Sequence, residues 1–202
     1  MDMQLDFFGR PSVRDSNSAV DAEHRYYFTL LPPPALAQDI ERGARILARR
    51  HNSRQPTRAD RLHVSLNGVH MGEPMDTGDI EDAMAVGAAI RRPSFDLAFD
   101  RVQTFGRARG AAQFPVVLSS SQPDRELDRL YGDIFRAMQS HGMRVGPRSI
   151  EPHMTIFYAS ERVPDIVMRR PFRWRVSHFW LLHTVRGHRN PEILGEWALG
   201  GL

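Results

Sequence analysis

Two four-residue stretches with the same residue pattern constrain the fold of this chain more than any other feature of its sequence. The stretches from His63 to Leu66 and from His153 to Ile156 both read histidine, apolar, hydroxyl, apolar. Residues i and i+2 of a β-strand share a face. Each stretch therefore predicts a strand that buries an aliphatic pair on one face and presents an imidazole with a hydroxyl on the other.

The two motifs belong to a longer internal repeat. A lone histidine in a strand is more often structural than catalytic, so a single match would carry little weight. His63 and His153, however, lie 90 residues apart, and further pairs share that offset. A duplicated half is the simplest interpretation. The further pairs are Tyr27-Phe28 with Val117-Leu118, Pro33 with Pro123, and His51 with His141.

Composition narrows the class of protein. A chain of 202 residues with 41% hydrophobic residues can bury a real core. No stretch approaches the roughly 20 apolar residues that span a bilayer, and the first residues do not read as a signal peptide. The absence of cysteine excludes disulfides, thiolate catalysis and cysteine-based zinc sites. We expect a cytoplasmic monomer without membrane contact.

Every one of the 27 basic residues is arginine. Genomic base composition explains this usage, but the physical consequence holds either way: arginine grips phosphate oxygens with two donors and stacks on bases. A net charge of +3 is small for a protein that tracks a long duplex. The arginine content together with the small net charge favours a small phosphorylated ligand or an RNA end as the partner.

Hydrophobic periodicity predicts an α+β protein with mostly antiparallel sheets. Residues 1–22 are predicted to be a mobile arm, and residues 23–202 a single bilobal domain made of two repeated halves. Residues 70–77 and the Gly/Arg-rich segment 106–110 are predicted to be loop and turn. The predicted helices cover about 34–50, 79–90 and 124–140, and the predicted strands cover 25–31, 62–66, 95–105, 113–119, 153–158, 173–184 and 193–199.

The paired motifs in duplicated halves resemble the two-histidine (2H) phosphoesterases, and among them the bacterial 2'-5' RNA ligase / RNA 2',3'-cyclic phosphodiesterase group. The resemblance covers about residues 24–200. It implies two pseudo-symmetric lobes of mostly antiparallel sheet, with flanking helices, around a central groove that holds both motifs without a metal. It also implies that His63 and His153 are the catalytic pair and that Ser65 and Thr155 bind the phosphate.

The implied activity is a metal-independent opening of 2',3'-cyclic phosphates, with reversible 2'-5' RNA ligation as an added capacity. Attack by water needs a base, and the leaving alkoxide needs an acid. Histidine supplies both forms near neutral pH, and hydroxyls can donate to the phosphate oxygens. The resemblance suggests His153 as base and His63 as acid, while the residues themselves leave the order open.

The chain departs from the group at two places. The group tends to follow its first motif with an aromatic residue and Leu-Gly, where this chain has Asn67-Gly68-Val69. It often has arginine five residues after the second histidine, where this chain has Tyr158. The phosphate contact of that arginine is therefore missing or supplied by another residue.

Four further side chains are candidates for substrate binding. Arg109 and Arg186 occupy equivalent repeat positions and could hold phosphates, although solvated turn residues are the plainer alternative. Phe105 could stack on a base or pack in the core. Tyr158 could touch a base, but its parity on the strand is opposite to that of His153, which favours core or edge packing.

We expect neither a metal nor another cofactor. His178, His183 and His188 lie close together in the sequence, but no carboxylate joins them at a ligand spacing. Two alternatives to RNA-end hydrolysis stay open. One is a phosphodiesterase for a small cyclic nucleotide or ADP-ribose cyclic phosphate, and the other is a non-catalytic module that binds RNA or nucleotides. The intact histidine in both motifs argues against the module.

Overall fold

The computed structural model describes residues 23–53, 55–107, 111–147, 151–188 and 190–200, so the predicted arm at 1–22 lies outside the described residues. None of the helices in those ranges is long and apolar enough to cross a bilayer. In chain order the elements are β1 (His24–Leu30), α1 (Pro34–Arg50), a 3₁₀ turn (Ala59–Arg61), β2 (Val64–Gly72), α2 (Thr77–Ala89), β3 (Phe95–Thr104), β4 (Phe114–Ser119), α3 (Arg125–Ser140), β5 (His153–Ala159), β6 (Ile166–Val176), β7 (His178–Val185) and β8 (Glu192–Ala198).

The strands form two antiparallel sheets, one in each lobe. Sheet A has the order β2-β1-β7-β8 and sheet B the order β5-β4-β3-β6. The two motif strands, β2 and β5, are edge strands of their sheets. This arrangement confirms the α+β fold class with two lobes of antiparallel sheet.

The helices form where the sequence pattern predicts them. Helix α1 begins at Pro34, since proline at the first helical position loses no helical hydrogen bond. Helix α3 is capped by Asp124, whose carboxylate accepts from the backbone N–H groups of Glu126 and Leu127. The predicted apolar stripe of α3 is buried: Leu127, Leu130, Ile134 and Met138.

Two helices pack across the boundary between the lobes. Helix α1 connects two strands of sheet A but contacts β5 and β6 of sheet B. Helix α3 connects two strands of sheet B but contacts β2 of sheet A. The apolar faces of both helices therefore join the two lobes and hold the motif strands near each other.

The predicted strand over 173–184 is in fact two strands. The chain leaves sheet B at Val176, passes Ser177 and enters sheet A at His178. Strand β6 also begins at Ile166, earlier than predicted. The first part of β6 was not predicted because its sequence is polar and contains Pro171. Proline is tolerated there because β6 is an edge strand.

Strand β2 is longer than predicted, and its register with β1 shifts at two places, between Tyr26 and Tyr27 and between Tyr27 and Thr29. It continues to Gly72, whereas a loop was predicted from residue 70. Tyr26 lies opposite His70 while Tyr27 lies opposite Gly68, so Val69 is an extra residue in β2. A bulge bends a strand without ending it, which is why the Asn-Gly pair reads as a turn in the sequence.

The strand register also corrects one detail of the repeat. Thr29 lies opposite Ser65 in sheet A, and Val117 lies opposite Thr155 in sheet B. The structural offset between β1 and β4 is therefore 88 residues, although the motifs are 90 apart. Tyr27 corresponds to Pro115 in the fold, and not to Val117 as the sequence offset predicts.

Replacing Gly87 with alanine should destabilise the fold, because α2 sits directly on Trp197 of β8. An added Cβ would lie 2.3 Å from Cζ2 of that indole. Overpacking of this kind costs about 1–3 kcal/mol, so we expect Gly87→Ala to lower Tm by roughly 2–10 °C. Gly43→Ala in α1 is the matched control, since its Cβ meets only Phe172 at 4.0 Å. An equal loss of Tm in both variants would contradict the packing argument.

Candidate active site

The two motif histidines lie at the facing edges of the two sheets. His63 immediately precedes β2, and His153 is the first residue of β5. The segment before β2 runs along β5, where the Thr57 N–H donates to the Ile156 carbonyl at 2.7 Å. Both histidines are partly buried. Their placement brings together the two residues that the sequence singled out most strongly.

Both imidazole rings are held in the same way. Nδ1 of His63 is 2.8 Å from the carbonyl oxygen of Arg61, and Nδ1 of His153 is 2.8 Å from that of Glu151. A carbonyl oxygen only accepts, so each Nδ1 must carry the hydrogen. In the neutral ring Nε2 then keeps its lone pair. Each half therefore presents an Nε2 that can accept or deliver a proton.

An aromatic ring packs against each imidazole. The ring centroids of Tyr27 and His63 are 5.3 Å apart, and those of Phe105 and His153 are 4.7 Å apart. Phe105 was a predicted base-stacking candidate, and here it contacts the second histidine directly. Tyr27 was not predicted. The sequence pattern that could have indicated Tyr27 is the alternation along β1, which places Tyr27 on the same face as Thr29.

Burial lowers the pKa of both histidines below the ordinary value of 6.5, and the hydrogen bonds to the two carbonyls offset part of that effect. Positive charge on His153 and on Arg61 lowers the pKa of His63 further. The Glu151 carboxylate acts in the opposite direction on the pKa of His153. The two imidazoles are thus close enough for protonation of one to oppose protonation of the other.

The motif hydroxyls lie on the strand faces that alternation predicts. Ser65 and Thr155 are partly buried, whereas their apolar neighbours are in the core. Ser65 lies opposite Thr29, whose hydroxyl donates to the Val64 carbonyl at 2.9 Å and so secures β1 to β2. Thr155 lies opposite Val117. Each hydroxyl follows its histidine by two residues along the same face.

A pocket extends from His63 over the face of sheet A. Its lining combines aliphatic and aromatic side chains with a few polar groups, and burial raises the pKa of Tyr27, which keeps its phenol protonated. The side chain of Thr184, which hydrogen-bonds to the phenol, offsets part of this rise in the pKa of Tyr27. Besides His63, the pocket is lined by Tyr27, Leu31, Asp60, Arg61, Leu182, Thr184, Pro191 and Ile193.

Of the remaining predicted residues, Arg186 and Tyr158 lie within the described ranges. Arg186 is exposed just after β7 and pairs with Glu23 at 3.5 Å, and Arg109 lies outside the described residues. Tyr158 is 51% exposed on the edge strand β5, so of the two expected placements it takes the edge of the sheet and not the core. Ile156 is an extra residue in β5, which resets the alternation and places Tyr158 opposite Pro115.

The histidines considered for a metal do not form a ligand cluster in the described ranges. Nε2 of His183 is 2.8 Å from Nδ1 of His24, and Nδ1 of His183 is 3.0 Å from the Glu192 carboxylate. His178 instead contacts Ser177. Across the part of the chain that the structure describes, no three His, Cys, Asp or Glu side chains are placed to hold a metal ion.

Comparison with known proteins shows the family of the chain. The sequence profile of the 2'-5' RNA ligase superfamily matches residues 32–188. The chain belongs to this superfamily of phosphoesterases and ligases. The resemblance seen in the sequence is thereby confirmed. No curated protein matches the chain by sequence.

Solved structures share the fold. Escherichia coli LigT complexed with 3'-AMP superposes with a TM-score of 0.72 at 24% identity, covering 89% of this chain and 99% of LigT. A crystal structure described as a phosphoesterase gives 0.69 at 25% identity, covering 88% and 99% of the two chains. The protein TT0787 of Thermus thermophilus gives 0.69 at 18% identity, covering 88% and 98%.

Acid should destabilise the fold through the two motif histidines. Because their pKa values are lowered in the folded protein, the unfolded chain binds more protons once the pH falls below about 6.5. The free energy of unfolding should therefore decrease as the pH falls through that window. Urea unfolding at pH 7.5 and 5.5 measures this effect. The free energy of unfolding should decrease less between the two pH values in the double variant His63→Asn/His153→Asn than in wild type.

The control for this titration is His188→Asn, which changes an exposed imidazole in the turn after β7. It should keep the acid sensitivity of the wild type. If the double variant loses as much stability on acidification as the wild type does, the two rings are not the proton-linked groups.

Proposed function

We propose that the protein is a metal-independent phosphodiesterase that opens 2',3'-cyclic phosphates of RNA ends or nucleotides by two-histidine acid–base catalysis. The observation that carries the proposal is the matched pair of imidazoles. Both rings are fixed through Nδ1, and both leave Nε2 for a substrate, at the facing edges of two sheets. Family membership supports a phosphoester substrate.

The reaction that fits this pair is an in-line displacement at phosphorus. One imidazole takes a proton from water while the new P–O bond forms, and the other gives a proton to the sugar oxygen as the old P–O bond breaks. Each transfer contributes roughly 10²- to 10⁴-fold. With the 5'-hydroxyl of a second RNA in place of water, the same transfers make a phosphodiester bond, so ligation is the same chemistry with another nucleophile.

Ser65 and Thr155 are proposed to hold the phosphate. Each hydroxyl shares a strand face with its histidine, so both can donate to non-bridging oxygens where charge accumulates in the transition state. The arginine that the group often has after the second motif is replaced by Tyr158. The two hydroxyls therefore supply more of the phosphate contact than they would beside such an arginine.

The substrate range is proposed from the pocket beside His63. Its floor is aliphatic and aromatic, with Tyr27 positioned to contact a ribose or base on the 2',3'-cyclic end. Turnover should be screened on RNA 2',3'-cyclic ends, 2'-5' linked dinucleotides, cyclic nucleotides and ADP-ribose cyclic phosphate. Turnover of only the last two would replace RNA as the substrate, and no turnover on any would favour a binding module.

Substituting either histidine should abolish most of the activity while preserving the fold. We expect His63→Ala and His153→Ala each to reduce kcat by about 10²- to 10⁴-fold, with Tm nearly unchanged because both rings lie at the sheet edges and not in the core. His188→Ala is the matched control with full activity. Assays in EDTA should give the same rates, which separates this chemistry from that of a metal-dependent contaminant.

A variant that keeps more than about a tenth of the wild-type rate would remove that histidine from the mechanism. Activity lost in EDTA and restored by zinc or magnesium would contradict metal-independent catalysis for the protein as a whole.

Loss of either motif hydroxyl should have a smaller effect. Ser65→Ala and Thr155→Ala each remove a hydrogen bond to a charged oxygen, worth roughly 1.5–3 kcal/mol, and kcat/KM should fall about 10- to 100-fold. Ser160→Ala, an exposed hydroxyl just after β5, is the matched control. If either motif variant matches this control, that hydroxyl does not contact the phosphate.

A further inference from the structure

A row of paired residues crosses sheet A beyond the motif hydroxyl of Ser65. In this row Tyr27 lies opposite Gly68 of β2 on one side and opposite Leu182 of β7 on the other. Residues that pair across antiparallel strands share a face of the sheet. Tyr27 and Leu182 line the pocket beside His63, and Gly68 adds no side chain. The row in sheet A therefore offers one aromatic ring to a ligand.

The equivalent row of sheet B carries two aromatic rings. Pro115, which corresponds to Tyr27 in the fold, lies opposite Tyr158 and accepts a hydrogen bond from the Phe105 N–H at 3.0 Å. Tyr158 takes the place of Gly68, since each of them follows its motif hydroxyl by three residues. Sheet B therefore has an aromatic side chain on either side of a proline ring.

This row lies on the face of sheet B that carries the second motif. By alternation along β4, Pro115 shares a face with Val117, which lies opposite Thr155. One end of the row reaches the second histidine, because the ring centroids of Phe105 and His153 are 4.7 Å apart. A ligand whose phosphate lies between the two motifs can therefore extend over this row.

The two rings border a slot, here the Tyr158 slot, that has the width of one base. Neighbouring strands lie about 4.8 Å apart, so Tyr158 and Phe105, which are two strands apart, are separated by about 10 Å. Stacked aromatic rings have centroids about 4.5–7 Å apart, so one planar base fits between them. Tyr158 is 51% exposed, and Phe105 and Pro115 are half-buried. The slot is therefore accessible, with Pro115 as its floor.

Two arginines bring positive charge to the same end of sheet B. The guanidinium carbon Cζ lies 4.5 Å from the Phe114 ring centroid in Arg107 and 5.2 Å from it in Arg162. Nη1 of Arg162 also donates to the carbonyl of Thr104, the residue before Phe105, at 3.2 Å. Neither a ring nor a carbonyl neutralises a guanidinium, so this charge attracts a ligand that carries phosphate. A nucleotide offers both the base and the phosphate.

We propose that the Tyr158 slot binds the base of a second nucleotide, adjacent to the one whose nucleoside occupies the pocket beside His63. The preferred substrate is then a dinucleotide or a longer RNA and not a free cyclic nucleotide. This inference rests on the proposed function and names its substrate class. The second base belongs either to the nucleotide upstream of a cyclic end or to the nucleotide whose 5'-oxygen is bonded to the reacting phosphorus. Stacking tolerates every base, so the slot should accept all four.

Tyr158→Ala tests the slot on three substrates: a 2',3'-cyclic mononucleotide, a dinucleotide that ends in the same cyclic phosphate, and a 2'-5' linked dinucleotide. For each dinucleotide the measured quantity is the ratio of its kcat/KM to that of the mononucleotide. Loss of one stacking ring should lower this ratio about 5- to 150-fold for at least one dinucleotide. Tyr158→Phe keeps the ring and should keep the wild-type ratio. Val167→Ala, which shortens a 74% exposed side chain on the edge strand β6, should keep it as well.

The two dinucleotides identify the position of the second base. A lower ratio with the cyclic-ended dinucleotide assigns the slot to the upstream nucleotide, and a lower ratio with the 2'-5' linked dinucleotide assigns it to the nucleotide on the 5'-oxygen side. Dinucleotides with an abasic second nucleotide are the matched substrate control. With them, wild type and Tyr158→Ala should give the same ratio, because no base is present to stack.

Calorimetry measures the same contact without turnover. In the His63→Asn background, the protein should bind at least one dinucleotide more tightly than the mononucleotide, and Tyr158→Ala should remove that difference. Equal ratios and equal affinity differences with and without Tyr158→Ala would overturn the inference, while normal turnover of the cyclic mononucleotide would leave the proposed function intact. If the wild type turns over no cyclic phosphate, the proposed function fails, and calorimetry alone decides whether the slot binds a base.

Discussion

The hydrogen bond from each histidine Nδ1 to the carbonyl two residues upstream is the interaction on which the site depends. It fixes the ring, selects the tautomer and directs Nε2 away from the backbone. The acceptor is main chain, so substitution of the residue that carries it leaves the bond in place. Arg61 and Glu151 can therefore differ in charge without disturbing the geometry, and the electrostatics of each half can be adjusted independently of its structure.

The fold brings together β2 and β5, two strands that are far apart in the sequence. Exposed edge strands invite pairing with other chains, and here the edges formed by β2 and β5 are turned toward each other. Helices α1 and α3 pack across the lobes and hold this arrangement. Both motifs therefore depend on core packing that lies behind them, while the catalytic candidates themselves contribute little apolar area.

The sequence predicted the local features well and the non-local ones poorly. The helices, the motif strands and the pair of histidines follow from periodicity and from a repeated pattern. The strand face predicted for Tyr158 relative to His153 did not allow for the bulge at Ile156. That bulge depends on the register with β4, which no local pattern encodes. The break at Ser177 and the early start of β6 depend on which sheet each residue joins. Tyr27 was overlooked because its contact with His63 joins separate strands.

The crossing at Ser177 determines the order in which the molecule can be completed as it is synthesised. Strand β1 pairs with β2, but its other neighbour is β7, which begins only at His178. Until β7 leaves the ribosome, only β1 and β2 of sheet A have been synthesised. By then β3, β4 and β5 of sheet B are already present. Non-local pairing of this kind is slow. The lobe that carries His63 is therefore finished last, although its motif is made first.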